Sequence, residues 1–233
     1  MLKISERLIQ VAELVPKGSR LIDVGTDHGY VPIWLLQNGR IPSAIAMDVN
    51  KGPLMRAEEN RDRYGFTDVM ELRLSNGLEK VKPGEGDAVL IAGMGGPLMI
   101  RIIEEGRENA GGVFSWVLQP QSEIPSVRRY LIEHGFRIVQ EIMLKDEGKY
   151  YMAMCAVPGE SEPWKDIEYL FGKYLLEQQH PVLAEFIEKE WRLYEKIQTQ
   201  LTETNQTETA RYQEVKAYLC ALEQAKTYNQ QTL

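Results

Sequence analysis

At 233 residues and 43% hydrophobic content, the chain is long enough for one full core plus an appendage, or for two small domains. A formal net charge of -7 excludes a protein that coats nucleic acid indiscriminately, which needs concentrated Lys and Arg, but leaves room for a local basic face. No run approaches the ~18 apolar residues of a membrane span, the charged opening is unlike a signal peptide, and Cys155 and Cys220 read as two reduced, buried thiols, so the chain is expected to be cytoplasmic and to have no membrane partner.

In chain order, ISERLIQVAELVP has the apolar spacing of a helix, and RLIDVG then predicts a first buried strand. Further strands are predicted at SAIAMDV, VMELRLS, AVLIAGM, SWVLQP and YYMAMCAV. Between them lie the helical stretches VPIWLLQNG, GPLMRAEENRDRYG, a short NGLEKV, GPLMIRIIEEGREN and EIPSVRRYLIEHG, several ending in a glycine suited to a helix terminus: Gly39, Gly65 and Gly135. Such alternation predicts a doubly wound parallel sheet covered by helices, with ligands at the carboxyl ends of the strands. After VPGESEP the strand-like runs stop. Apolar residues then recur at helical steps: Trp164, Ile167, Phe171 and Tyr174; Leu183, Ile187, Tyr194, Ile197 and Leu201; and Tyr212, Val215, Leu219 and Leu222. Two domains are therefore expected, 1–158 being α/β and 159–233 all-helical, with the last two helices pairing as an antiparallel coiled coil across TETNQTET. The alternative is that these helices pack back on the first domain. Three basic clusters could form a local face or simply be solvated: Arg56 with Arg61 and Arg63, Arg128 with Arg129, and Lys145 with Lys149.

The chemistry concentrates at strand ends. In LIDVGTDHGYVP the chain must turn sharply from strand into helix, which Gly25 and Gly29 permit. A dinucleotide loop would use GxGxxG to cradle pyrophosphate; here Asp27 sits inside the turn, followed by His28. An acid repels pyrophosphate and attracts a cationic, phosphate-free nucleoside ligand, and S-adenosylmethionine has those properties. Asp48 closes the second strand roughly 20 residues on, where a carboxylate accepts both ribose hydroxyls; it could instead cap the next helix. Asn76 and Gly77 follow the third strand, placed to read an adenine edge or to make a turn. Gly93, Gly95 and Gly96 in AGMGG leave a side-chain-poor surface on which a flat base could lie. Gln119 and Gln121, restrained by Pro120, carry amides able to bond a base edge. With only three histidines and no ligand spacing, no metal site is expected.

Together DVGTDHGYVP, AMDVN, SNGL, IAGMGG and LQPQ resemble the bacterial TrmK family, the tRNA adenine-N1 methyltransferases acting at adenine-22. The likeness covers the first 158 residues, and the helical C-terminus suits the family too. It implies a class I (Rossmann-like) methyltransferase fold with a C-terminal all-helical coiled-coil domain, S-adenosylmethionine as cofactor and tRNA as substrate. Carried over by position, it implies cofactor contacts from Gly25, Thr26, Asp27, Gly29, Asp48, Val49, Asn76, Gly77, Ala92, Gly93 and Met94. It further implies catalytic or base-proximal roles for Asp27, His28, Tyr30 and Gln119, and substrate contacts from Arg7, Met94, Gly95, Gly96, Pro120 and Gln121. A monomer is expected. N1 of adenine already carries a lone pair, so positioning in a dry pocket would supply most of the catalysis, with Asp27 stabilising the cationic product. The helical region would grip the tRNA body although it is acidic overall, so either a few Lys and Arg, such as Lys189, Arg192 and Lys196, line one face or the contact is mainly through the catalytic domain; if it grips, deletion after Glu162 should cost tRNA methylation and spare cofactor binding. The competing readings are a methyltransferase of another RNA or a small molecule, and a catalytically silent nucleoside- or RNA-binding module.

Overall fold

The structure is a computed structural model that describes residues 2–228; Met1 and residues 229–233, the outer ends of the two expected domains, lie outside them. Among the described residues one mixed sheet runs β3-β2-β1-β4-β5-β7-β6. Its strands are β1 (Leu21–Val24), β2 (Ala44–Asp48), β3 (Met70–Leu74), β4 (Ala88–Gly95), β5 (Ser115–Ser122), β6 (Phe136–Asp146) and β7 (Lys149–Pro158). The first five are parallel, with Leu21 level with both Ala44 and Ala88, while β7 runs antiparallel to β5 and to β6. The sheet expected to be parallel throughout is therefore closed on one side by an antiparallel hairpin. β6 was not predicted.

Helices α1 (Glu6–Glu13), α2 (Tyr30–Gln37), α3 (Lys51–Tyr64), α4 (Gly96–Gly106) and α5 (Ile124–Glu133) cover the sheet. Strand alternation divides the core between two faces: Ile22, Val24, Val89 and Ile91 belong to one cluster, and Leu21, Leu90 and the α1 residues Val11 and Ala12 to the other. The NGLEKV stretch is a set of turns rather than a helix. Gly77 takes the left-handed region at φ 54, and Pro83 follows within six residues, so a helix has neither a clean start nor room to propagate.

The helical region has two parts. α6 (Asp166–Phe171) and α7 (Lys173–Glu177), separated at Gly172, pack back on the sheet domain, where Trp164 and Tyr169 join the cluster containing Tyr130 and Phe136. α8 (Pro181–Glu203) and α9 (Ala210–Lys226) form an antiparallel hairpin around Leu183, Ile187, Val215, Leu219 and Leu222, fixed by Tyr194 against Tyr218 (ring centroids 4.5 Å apart) and by Lys226 to Glu188 at 3.0 Å. α9 starts at Thr209, whose hydroxyl accepts from Tyr212 N at 3.2 Å. The expectation that the helices pack back on the first domain holds for α6 and α7, and α8 also reaches the sheet domain, with Leu183 and Ile187 in one cluster with Met143 and Met152.

The joint between the two regions is a buried ion pair. Arg128 is fully buried, so it is not the surface cation that the RR pair suggests. Its Nε donates to Glu141 Oε1 at 2.7 Å, and Nη1 to the carbonyls of Tyr169 (2.9 Å) and Leu170 (3.2 Å). The other Glu141 oxygen accepts from Tyr174 N at 3.1 Å. Gly172, at φ 94, passes so close that an added Cβ would lie 2.8 Å from both charged groups. The expectation for the cysteines also needs correction, because Cys155 is buried and Cys220 is exposed on α9.

Candidate active site

β1 ends in a turn tied to its neighbour, with Gly25 N and Thr26 N both donating to Met47 O, at 2.8 and 2.9 Å. Gly25 has φ 77, a conformation that L side chains rarely adopt, and an added Cβ would lie 2.1 Å from Met94 Cε, so the Met94 side chain would have to shift as well. Asp27, at φ 43, is a non-glycine residue in the left-handed region, where a short acid is tolerated better than most. The turn opens on a cleft of about 320 Å³ lined by Arg7, Asp23, Thr26, His28, Gly93 and Gln121 among others. That is the low end of the size range of small-molecule sites, about 300–1,000 Å³.

Asp23, a residue the motif reading passed over, lies on the cleft floor. It is 5% exposed, and burial raises its carboxyl to about 6, with the charge of Asp48 adding to the effect. Nearby Thr26 opposes part of that shift, yet its buried Oγ1 completes no hydrogen bond of ordinary geometry. A buried acid and an orphaned hydroxyl facing one cleft fit a ligand with a cationic group and acceptor atoms, as S-adenosylmethionine has. A signal for Asp23 was present in the sequence: it is the one polar residue of a four-residue strand buried along its whole length.

Asp27 lies on the rim. Its Oδ1 meets Arg56 Nη2 at 2.5 Å, and Oδ2 lies 3.5 Å from His28 Nε2. The turn acid expected to meet a cationic ligand thus already shares its charge with α3. His28 stacks on Tyr30 with ring centroids 4.8 Å apart and planes within 10°, giving a flat aromatic pair at the cleft mouth. Its backbone is held by Asn60, which donates to His28 O at 2.9 Å.

The other predicted residues fall along the same rim of the sheet. Asp48 Oδ1 accepts from Asn50 N at 2.8 Å, a turn contact rather than the helix cap weighed as its alternative, since α3 begins from Asn50 with no side-chain cap. Val49 beside it is 60% exposed, an apolar surface at the end of β2. Asn76 donates to Glu79 Oε1 at 2.7 Å, and with Gly77 borders a small recess beside Ile102, apart from the main cleft. Ala92, Gly93 and Met94 sit where the β4–β5 register shifts. Gly95 and Gly96 instead start α4, Gly96 N donating to Ser122 Oγ at 3.3 Å.

Gln119 and Pro120 depart from their expected place beside a base. Both are buried, and Gln119 Oε1 accepts at 3.1 Å from both Arg7 Nη1 and Gly93 N. Gln119 and Gln121 share a face of β5, and the difference is depth: β5 is buried through Pro120, whereas Gln121 lies at the exposed end of the strand and lines the cleft. Arg7 reaches into the same cleft from α1 while its guanidinium lies 5.0 Å from the centre of the Tyr151 ring.

Known proteins similar to this chain are methyltransferases. Residues 4–154 match a family described as a methyltransferase domain. The chain is 31% identical over 212 residues to the tRNA (adenine(22)-N(1))-methyltransferase of Bacillus subtilis, covering 89% of each chain. Among solved structures it is similar to a Streptococcus pneumoniae protein, provisionally assigned as a tRNA (m1A22) methyltransferase, in complex with S-adenosyl-L-methionine (33% identity, TM-score 0.86, 96% of this chain and 99% of that one). It is also similar to M. capricolum TrmK in complex with S-adenosyl-homocysteine (27% identity, TM-score 0.83, 95% and 96%).

Proposed function

The chain belongs to the TrmK family of bacterial tRNA (adenine-22 N1)-methyltransferases, and we propose that it transfers a methyl group from S-adenosylmethionine to N1 of adenine-22 in tRNA. The observation that carries this reading is the cleft itself. It holds a buried carboxyl, an orphaned hydroxyl and a glycine turn with an acid inside it, all suited to a cationic, phosphate-free nucleoside.

When bound, S-adenosylmethionine supplies an electrophilic methyl group on a sulfonium. Asp23 and Thr26 would hold its amino-acid end and Asp48 and Val49 its ribose, with Asn76 and Gly77, at their separate recess, toward its base. Thr26 would then gain its missing partner, and Asp23 a counter-charge that draws its carboxyl toward the ionised form. The adenine N1 lone pair needs no general base, so the protein's contribution is placement. His28 and Tyr30 offer an aromatic platform for a nucleotide taken out of its stack, and Gln121 an amide for its edge. Gln119 is a positioning residue. By accepting from Gly93 N it holds the β4 end at a fixed height, and by accepting from Arg7 it ties that height to α1. Asp27, beside His28, faces the positive charge that N1 methylation leaves on the base.

We further read 1–158 as the methyltransferase domain and 159–233 as a helical domain whose α8–α9 hairpin is a coiled coil, in a monomeric cytoplasmic enzyme. Incubating the protein with labelled S-adenosylmethionine and unmodified tRNA, then digesting to nucleosides, tests the function. N1-methyladenosine at position 22 is the expected product. Label in another nucleoside, in protein, or nowhere would defeat the reading.

A further inference from the structure

α8 carries Lys189, Arg192 and Lys196 as its only Lys and Arg, and steps of three and four residues put all three on one stripe. They line a groove of about 620 Å³ whose other wall is the β6–β7 hairpin, with Lys145 and Tyr150. This concentration occurs in an acidic region: from Trp164 to Tyr228 there are eight Lys and Arg against eleven Asp and Glu.

The groove's own acids are occupied. Glu185 takes Lys145 and the Tyr150 hydroxyl, and Glu188 takes Arg192 at 2.9 Å and Lys226 at 3.0 Å. Lys189 and Lys196 make no ion pair among the described residues, and Lys189 Nζ lies 5.0 Å from the centre of the Tyr150 ring. The wall thus presents cations around an aromatic face.

Topology sets this groove beside the cleft. β7 runs antiparallel to β5 with Leu118 opposite Met154, so Tyr150, four residues back along β7, comes level with the end of β5 where Gln121 lines the cleft. Tyr151, on the opposite face of the ribbon, carries Arg7. The hairpin therefore separates a base-sized cleft on one face from a cationic groove on the other, and both open on the carboxyl rim of the sheet.

We propose that this groove binds the phosphodiester backbone of the RNA whose base enters the cleft. The inference rests on the tRNA reading above and gives it a second contact surface. Extruding one nucleotide requires the flanking strand to be held, and ammonium and guanidinium groups do so by neutralising phosphates and releasing counterions.

The test is the full chain carrying Lys189→Gln, Arg192→Gln and Lys196→Gln together, three exposed positions whose replacement leaves the core untouched. Binding of unmodified tRNA is measured between about 50 and 200 mM salt, alongside methyl transfer and cofactor binding. We expect tRNA Kd and KM to rise at least about tenfold and the salt slope to flatten by about 2 to 3, roughly one for each lost contact, with cofactor Kd and kcat at saturating tRNA unchanged. In the same assay Glu188→Gln, which removes an acid from the wall, should tighten binding, a change of sign that misfolding does not imitate. Unchanged Kd and salt slope in the triple variant overturn the groove while leaving the tRNA reading intact. Wild-type protein that binds no tRNA overturns both.

Discussion

Two buried charged sites divide the labour of this molecule. At the joint, Arg128 and Glu141 are sealed from water, and each also bonds main-chain groups of α6 or α7, while Arg128 Nη2 donates to Met152 Sδ at 2.8 Å. In the cleft, which Arg7 also lines, Asp23 is nearly as buried but makes no ion pair among the described residues, and burial pushes its carboxyl up to about 6. A buried charge that is fully partnered holds structure together. One left without a counter-charge marks a place for a ligand, at a standing cost to the fold.

That contrast can be broken from either side. The largest effect is expected from Arg128→Ala, which strands a buried carboxylate and should cost about 3–5 kcal/mol, read as a lower denaturant midpoint. Gly172→Ala should weaken the same joint by about 1–3 kcal/mol, because its side chain would meet both charges and its φ is unfavourable. Asp23→Asn should act with the opposite sign. A folded carboxyl raised to about 6 keeps a proton that the unfolded chain gives up near 4, so wild-type stability falls as pH rises through that window. The variant should therefore be more stable at pH 7.5 by at most about 3 kcal/mol, with no gain below pH 4, while binding S-adenosylmethionine at least about tenfold more weakly. Urea titrations at both pH values, with calorimetric binding, check this pair of outcomes.

The same carboxyl should make cofactor binding weaken by up to about tenfold per unit as pH drops below about 6, a dependence that Asp23→Asn removes. Gln119→Leu should cost about 1–3 kcal/mol through the unpartnered Gly93 N–H, and should lower kcat more than it raises the cofactor KM. The smallest change in stability belongs to Asp27→Asn, at an exposed pair, within about 0.5 kcal/mol. Asn also tolerates the left-handed backbone there better than Ala would, so its separate effects on cofactor Kd and on turnover distinguish a cofactor role from a base role.

Much of this arrangement was legible in the sequence for physical reasons. Four of the five parallel strands announce themselves as short apolar runs buried along much of their length, the edge strand β3 being the exception, and the glycine turn by its residue types. β6 was invisible because its alternation changes phase at the bulge between Ile138 and Gln140, and because one of its inward residues is Glu141. Asp23 was overlooked as part of a strand, and Gln119 was taken for a base contact because the sequence does not show how deep in the sheet β5 stays buried. The pairing of Asp27 with Arg56 joins residues 29 apart in the chain, a contact no local pattern reveals. The expected cut after Glu162 also changes meaning. It would remove Trp164 and Tyr169 from the core and the carbonyls that hold Arg128, so lost activity there would report unfolding rather than lost RNA contact.

The joint has a consequence for how this chain can vary. Arg128 and Glu141 grasp the helical region through the carbonyls of Tyr169 and Leu170 and the amide of Tyr174, atoms that every residue type except proline supplies alike. The mounting is thus indifferent to most side-chain changes at Leu170, whereas α8 is held by its own side chains, Leu183 and Ile187 sharing a cluster with Met143 and Met152, so its inner face is constrained where the mounting is not.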